Sequence, residues 1–320
     1  MSTAAPYALV FPGQGSQYVG MGRALAAEYA VVQRTFAEAD ERLDFPLSRL
    51  CFEGPEAELV LTANTQPAIL AVSVATYRLF AEQAIGAPPA AVLGHSLGEY
   101  SALVAAGALD FGDALQTVRL RGQLMESAVP PGAGGMTAIL GLDLARVEQI
   151  CARASAHGVV APATLNGPGQ IVIAGASAAL AVAAGLAQEA GARRVQPLNV
   201  SGPFHSPLLK GVGEALGRRL DGVEVRPAGV PVLANATADY VREPKAIKQA
   251  LIEQVFSPVR WEESVRRALA DGVRTFVELG PGRVLSGLIR RIDKEAVVTN
   301  VEDPESWEKA LALLKGGGLI

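Results

Sequence analysis

The chain is short of several things, and each shortage removes a class of protein. Cysteine appears twice in 320 residues, as Cys51 and Cys151, with no CxxC pair. That excludes a disulfide framework and a cysteine-held zinc site. Lysine and arginine number 28 against 32 aspartates and glutamates, a net charge of −4. A nucleic-acid binder would show a basic surplus, and none is present. Long apolar runs are missing too. The longest Ala-rich stretch, SAALAVAAGLAQEAGA (177–192), is broken by Gly185, Gln188 and Glu189 and is a poor membrane span. The opening residues MSTAAPYALVFPGQGSQ lack a charged segment followed by a long apolar core, so no secretory signal is read. A soluble, cytoplasmic protein is expected. Histidine is scarcer still: His95, His157 and His205 are the whole supply.

What remains is half hydrophobic, enough for a large core and one or two domains. Short apolar runs alternate with helical patterns. YALVF (7–11) reads as a strand, 21–43 as helical, 65–84 as an apolar helix and PPAAVLG (88–94) as a strand. A helix then runs out of that strand through LGEYSALVAAGAL, and FGDALQTVRLRGQLMESA follows as another. Such alternation predicts an α/β layer architecture. The pattern changes after PPGAGG (130–135), where strand, helix, strand, strand, helix and strand follow in turn. That β-α-β-β-α-β order is ferredoxin-like. Residues 132–201 are therefore expected to form a small domain inserted into a larger one made of 1–131 and 202–320, where GVPVLANA, VRTFVELGPG and AVVTNVED resume the first pattern.

Gly94-His95-Ser96-Leu97-Gly98 fits G-x-S-x-G. Glycines on both sides allow a sharp strand-to-helix turn that lifts a serine hydroxyl out of the sheet. A helix beginning at Leu97 adds free N–H groups and the positive end of its dipole. A serine capping a helix would share the local pattern, but the strand–turn–helix context favours a nucleophile. Such a serine needs a base. His95 adjoins it on a turn that points the side chain away, and His157 lies in an ordinary surface turn, SAHGVV. His205 remains, held in NVSGPFHSPLL between Pro203 and Pro207. No carboxylate is singled out to orient it. Asp221, Asp239 and Glu278 are candidates, and an amide or backbone carbonyl accepting the Nδ1 proton would serve as well.

Placed on a helix at 100° per residue, residues 113–126 gather Gln116, Arg119, Gln123 and Glu126 on a polar face. Arg121 falls instead among Ala114, Val118, Leu124 and Met125. A buried guanidinium needs an anion, supplied by the protein or by a ligand. The glycine clusters GPGRVLSG and GQGSQYVGMG lack G-x-G-x-x-G spacing and a Walker lysine, so no nucleotide-phosphate loop is read. The sequon NAT (235–237) is read as coincidence.

With these residues in place, the chain resembles the malonyl-CoA:acyl carrier protein transacylases over nearly its whole length. Seven motifs carry the resemblance: FPGQGSQYVGMG (11–22), GHSLGEYSAL (94–103), RGQLM (121–125), NGPGQIVIAG (166–175), GPFHSPLL (202–209), QVFSPVRW (254–261) and ELGPGRVLSGL (278–288). The resemblance implies an α/β-hydrolase-like large domain with an inserted ferredoxin-like small one. It implies that Ser96 is acylated, that His205 is its base, and that the Gln254 main-chain carbonyl orients His205. It further implies an oxyanion hole from the N–H groups of Gln14 and Leu97, and Arg121 gripping the malonyl carboxylate. His95 and Asn166 would line the pocket, and Phe204 and Leu97 resemble malonyl-type rather than methylmalonyl-type members. The expected partners are malonyl-CoA and the holo-acyl carrier protein, with no cofactor, no metal, and a monomer as the default state. The arginine pairs Arg193-Arg194, Arg266-Arg267 and Arg290-Arg291 are candidates for contact with an acidic carrier. A serine hydrolase is the main rival. Its acid should lie between serine and histidine, its histidine near the C-terminus, and Arg121 would have no evident role in it.

Overall fold

The computed structural model describes residues 6–83 and 88–318. Among the described residues ten strands form two sheets: β1 (Tyr7–Phe11), β2 (Ala91–Gly94), β3 (Gly134–Leu140), β4 (Val160–Gly167), β5 (Gln170–Ala176), β6 (Arg194–Pro197), β7 (Val232–Leu233), β8 (Tyr240–Val241), β9 (Thr275–Leu279) and β10 (Val297–Val301). The larger sheet has the order β10-β9-β1-β2-β7-β8. Its first five strands are parallel, and β8 joins antiparallel at the edge.

β1, β2 and β9 are buried along their whole length, as strands covered by helices on both faces must be. Successive side chains of β1 go to opposite faces. Leu9 and Phe11 pack with Phe36, Leu70 and Leu115 from the helices Ala30–Leu43, Thr62–Gln83 and Phe111–Ser127. Ala8 and Val10 pack with Trp261, Val265 and Ile289 from the helices Trp261–Ala270 and Val284–Ile292. The second sheet is antiparallel with the order β4-β5-β3-β6. The helices Leu144–Ala154 and Ser177–Glu189 close a separate core around Ile139, Val147, Ile150 and Ile173.

Several boundaries differ from the sequence expectation. The helical stretch 21–43 is two helices, Arg23–Glu28 and Ala30–Leu43, divided at an extended Tyr29; Gly22 at φ 77° starts the first of them late. The apolar helix starts at Thr62 and carries Pro67 inside it. Of its expected residues, the last one, 84, lies outside those described. The strand expected at 88–94 shrinks to Ala91–Gly94, because Pro88 and Pro89 have no N–H to offer a ladder. GVPVLANA contributes only Val232–Leu233. No helix among the described residues is long and apolar enough to cross a membrane.

Candidate active site

The site lies beyond the carboxyl ends of β1 and β2, which run side by side with Phe11 opposite Gly94. In parallel α/β sheets this is where ligands bind. The chain leaving β2 must turn at once into the helix Gly98–Ala105. Ser96 makes that turn at φ 51°, a left-handed conformation that most side chains avoid. A Cβ on Gly94 would strike the Gly98 carbonyl, and one on Gly98 would strike the Phe11 carbonyl. The two glycines are therefore demanded by packing. Asn235 holds the strained turn: Ser96 N–H donates to its Oδ1 at 2.7 Å, and its Nδ2 donates to the Gly94 carbonyl at 2.7 Å. The sequon asparagine is thus an internal brace, 1 % exposed.

His205 reaches Ser96 across the site, with Nε2 2.7 Å from Oγ. Its Nδ1 lies 2.8 Å from the Gln254 main-chain carbonyl. A carbonyl only accepts, so Nδ1 carries the proton and the Nε2 lone pair faces the serine. None of the three carboxylates considered from sequence holds His205. Glu278 accepts from the N–H groups of Leu285 and Ser286 and from the Ser286 hydroxyl, and Asp239 pairs with Arg267. Asp221 ends the helix Lys210–Asp221 at the surface. Burial first, and the Arg121 charge second, push His205 down to about 3. It is a neutral imidazole across the ordinary pH range. His95 is also held below its usual range by burial, and its Nε2 lies 2.8 Å from Asn166 Oδ1. His157 is exposed at the end of a single turn, Ser155–His157.

Arg121 is 1 % exposed, on the buried side of its helix as the wheel placed it. All its hydrogen-bond partners are uncharged. Nη1 donates to Gln66 Oε1 at 2.9 Å, and Nη2 donates to Gln254 Oε1 at 2.9 Å and to Ser96 Oγ at 3.2 Å. Nε has no partner among the described residues. The guanidinium sits 5.7 Å from the Tyr100 ring centroid. No ion pair joins it to an acid among the described residues, so the internal salt bridge that sequence left open is absent. A buried cation left in this condition is a strong anion site.

Ser96, His205 and Arg121 open on one cavity of about 170 Å³, shared with Gln14, Leu97 and Asn166. Apolar walls come from Met125, Met136, Val172, Leu198, Val200 and Phe204. The backbone N–H groups of Gln14 and Leu97 make no hydrogen bond among the described residues, so two donors flanking Ser96 are unused. Three polar residues of this network were not read from sequence: Gln66, Glu99 and Asn235. Each acts on partners 55 to 155 positions away, a separation that leaves no local pattern. Glu99 could have been noticed as an acid inside the most distinctive motif. Among the described residues no group of three or more His, Cys, Asp and Glu could hold a metal.

Known proteins are similar in sequence and fold. The family model of the acyl transferase domain matches residues 8–306. The malonyl CoA-acyl carrier protein transacylase of Bacillus subtilis (strain 168) is 50 % identical over 309 residues, covering 96 % of this chain and 97 % of the relative. The chain belongs to the malonyl-CoA:acyl carrier protein transacylase family. Membership makes it an acyltransferase. The Vibrio cholerae acyl carrier protein S-malonyltransferase crystal structure superposes with a TM-score of 0.94 at 47 % identity, covering 96 % of this chain and all of that one. Another transacylase structure, a malonyl-transacylase solved in complex with a type II PKS acyl-carrier protein, has a TM-score of 0.94 at 44 % identity. It covers 97 % of this chain and 100 % of that one.

Proposed function

We propose that the protein moves the malonyl group from malonyl-CoA to the phosphopantetheine thiol of an acyl carrier protein, through a malonyl ester on Ser96. The observation that carries this reading is Arg121, a buried guanidinium with no acid in direct hydrogen-bond or ion-pair contact among the described residues, 3.2 Å from the nucleophile's oxygen. A carboxylate at the far end of a short acyl group would meet it as a bidentate pair. The malonyl unit is such a group.

His205 Nε2 takes the Ser96 proton as Oγ attacks the thioester carbonyl. The N–H groups of Gln14 and Leu97 receive the negative oxygen of the tetrahedral intermediate. When the C–S bond breaks, the CoA sulfur leaves with the proton from His205. The carrier's thiol then gives its proton to His205 and attacks the ester carbonyl, and as the C–O bond breaks His205 returns that proton to Ser96 Oγ. The order is ping-pong. The carbonyl of Gln254 keeps the tautomer throughout, and His95 and Asn166 line the pocket wall. Phe204 and Leu97, both buried against the cavity, favour malonyl over a methyl-branched analogue, a difference of about 1–3 kcal/mol.

In this reading residues 132–201 are an inserted ferredoxin-like domain that closes over an α/β-hydrolase-like domain of 1–131 and 202–320. The four-stranded order and the separate core around Ile139 support that division. The protein acts in the cytoplasm as a monomer and uses no cofactor. For carrier docking, Arg193 and Arg194 are exposed and make no side-chain hydrogen bond or ion pair among the described residues, and Arg290 and Arg291 keep their charge beside uncharged acceptors. Arg266 and Arg267 are engaged by Glu262, Asp239 and Asp271, and Arg290 and Arg291 donate to Val298 and Gln170.

The deciding experiment is incubation with radiolabelled malonyl-CoA, then addition of phosphopantetheinylated carrier protein. Label should appear on the protein, be absent with Ser96→Ala, and pass to the carrier. Label released as free malonate, with none on the carrier, would show a hydrolase instead.

A further inference from the structure

Glu99 is an acid that the mechanism above does not use. Its side chain is 1 % exposed, on the first turn of the helix Gly98–Ala105. Oε2 accepts from Gln254 Nε2 at 2.8 Å and from the Asn235 N–H at 3.0 Å. The same Gln254 amide accepts from Arg121 through Oε1 and donates through Nε2 to the Ser96 carbonyl at 2.9 Å. Glu99 therefore fixes which way the Gln254 amide faces. With the opposite flip, an NH₂ would point at Arg121 and a carbonyl at Glu99. Through one amide the carboxylate orients Arg121, and through Asn235 it supports the turn that carries Ser96.

The groups around this carboxylate and its cation come from five places. Arg121 on the helix Phe111–Ser127 is the cation that acts on it. Gln254 on the helix Pro244–Gln254 and the Asn235 main chain beyond β7 are neutral. Tyr100, on Glu99's own helix, is a phenol held above its ordinary range by burial. His205 is held neutral. The empty site thus contains one cation and one carboxylate, linked through an amide. A substrate carboxylate on Arg121 would make two anions for one cation in a buried space, and like charges sharing such a site cannot both remain ionised at ordinary cost.

We propose that Glu99 is a positioning residue and the resident counter-charge of Arg121, and that it takes up one proton from solvent when a substrate carboxylate occupies the guanidinium. The inference rests on the malonyl reading of the site. The proton goes to the carboxylate of Glu99, and Oε2 continues to accept from Gln254 and Asn235, so the amide keeps its orientation while the charge is removed. The ordinary range of the group supports the exchange: burial, only partly offset by Gln254, Asn235 and Arg121, already lifts Glu99 to about 7. Binding would raise it further. By linkage, malonyl affinity then weakens as pH rises through the free-site value, by up to about tenfold per unit. A neutral acyl group should show no such slope.

The experiment uses Ser96→Ala, which binds without turnover, and malonyl-pantetheine, which has no phosphate to titrate. Binding is measured by calorimetry near pH 7.5 in buffers of different ionisation enthalpy. A carboxylate at about 7 is roughly three-quarters ionised at that pH, so an uptake of up to about 0.75 proton per malonyl bound is expected, with none for acetyl-pantetheine. In Ser96→Ala with Glu99→Gln the uptake should vanish and malonyl affinity should stop depending on pH. Malonyl binding without proton uptake overturns the counter-charge role and leaves the malonyl reading standing, and uptake that survives Glu99→Gln does the same. Failure of the unmodified chain to accept label from malonyl-CoA overturns the malonyl reading itself, and this inference with it. The Ser96→Ala measurement alone remains decisive if the Glu99→Gln chain does not fold.

Discussion

Replacing Arg121 with alanine separates the carboxylate grip from the rest of the chemistry. The substitution deletes the one cation in the cavity and leaves Gln66 Oε1 and Gln254 Oε1 without their donor. Part of the damage is therefore general, since two buried acceptors lose a charged partner, and every acyl donor will suffer it. The specific part is the missing pair with the malonyl carboxylate. Truncating one partner of a buried, hydrogen-bonded charge pair costs about 2–5 kcal/mol. At about 1.4 kcal/mol per tenfold, the malonyl-to-acetyl ratio of kcat/KM should fall by roughly 30- to 5,000-fold. The assay is acylation of Ser96 by labelled malonyl-CoA and acetyl-CoA, each at several concentrations, in the parent and in Arg121→Ala. Circular dichroism would establish that the chain still folds. Equal losses for both donors would refute the argument, because they would show that Arg121 supports the site and does not read the carboxylate.

The pH profile and the serine turn offer two further tests. The base works neutral, and burial together with Arg121 holds His205 at about 3. On lowering pH at saturating malonyl-CoA, the acylation rate should stay flat through the ordinary histidine range and fall only well below pH 5, so an acid limb near 6.5 would contradict it. Asn235→Ala leaves the Ser96 N–H and the Gly94 carbonyl without their partner in a buried, left-handed turn. The expected cost is about 2–4 kcal/mol in urea unfolding, with slower acylation; an unchanged midpoint and rate would refute the bracing role.

The parts of the site that were readable from sequence are those whose cause is local. Ser96 is announced by glycines that packing demands within two residues of it. Arg121 is announced by a mismatch between its charge and its helix face, an argument that needs only a period of 3.6. The β-α-β-β-α-β stretch was legible for the same reason, since each of its strands and helices carries its own apolar pattern. The bounds of β7 inside GVPVLANA are not legible, because its two paired residues give too short a pattern to bound. Gln254 is a different matter. It acts on His205 through a main-chain carbonyl, a group that all residues possess, so no side-chain signature could have marked it. Only the resemblance supplied it. Glu99 and Asn235 were visible but misjudged, one passed over inside its motif and the other read as a chance sequon, because their partners lie more than a hundred residues away.

The neutral orienter under His205 follows from what stands beside Ser96. A serine–histidine pair is usually completed by a carboxylate, which fixes the imidazole and stabilises its charged form. Here the same small space holds the Arg121 guanidinium, which in the proposed function receives an anionic acyl group. An aspartate under His205 would add a second anion near Arg121 and draw on the cation that the substrate needs. The Gln254 carbonyl fixes the tautomer at 2.8 Å without adding net charge. The acid in the network is displaced to the far side of the Gln254 side chain, where Glu99 meets Arg121 only through an amide. The consequence is a weaker base than a triad histidine, as its low range shows. That weakness suits a thioester. Its thiol leaving group departs with far less protonation than an amine requires, so the reaction asks less of His205 as an acid. In the proposed function, a selectivity for a charged acyl group and a neutral orienter under His205 are thus two results of placing Arg121 where it is.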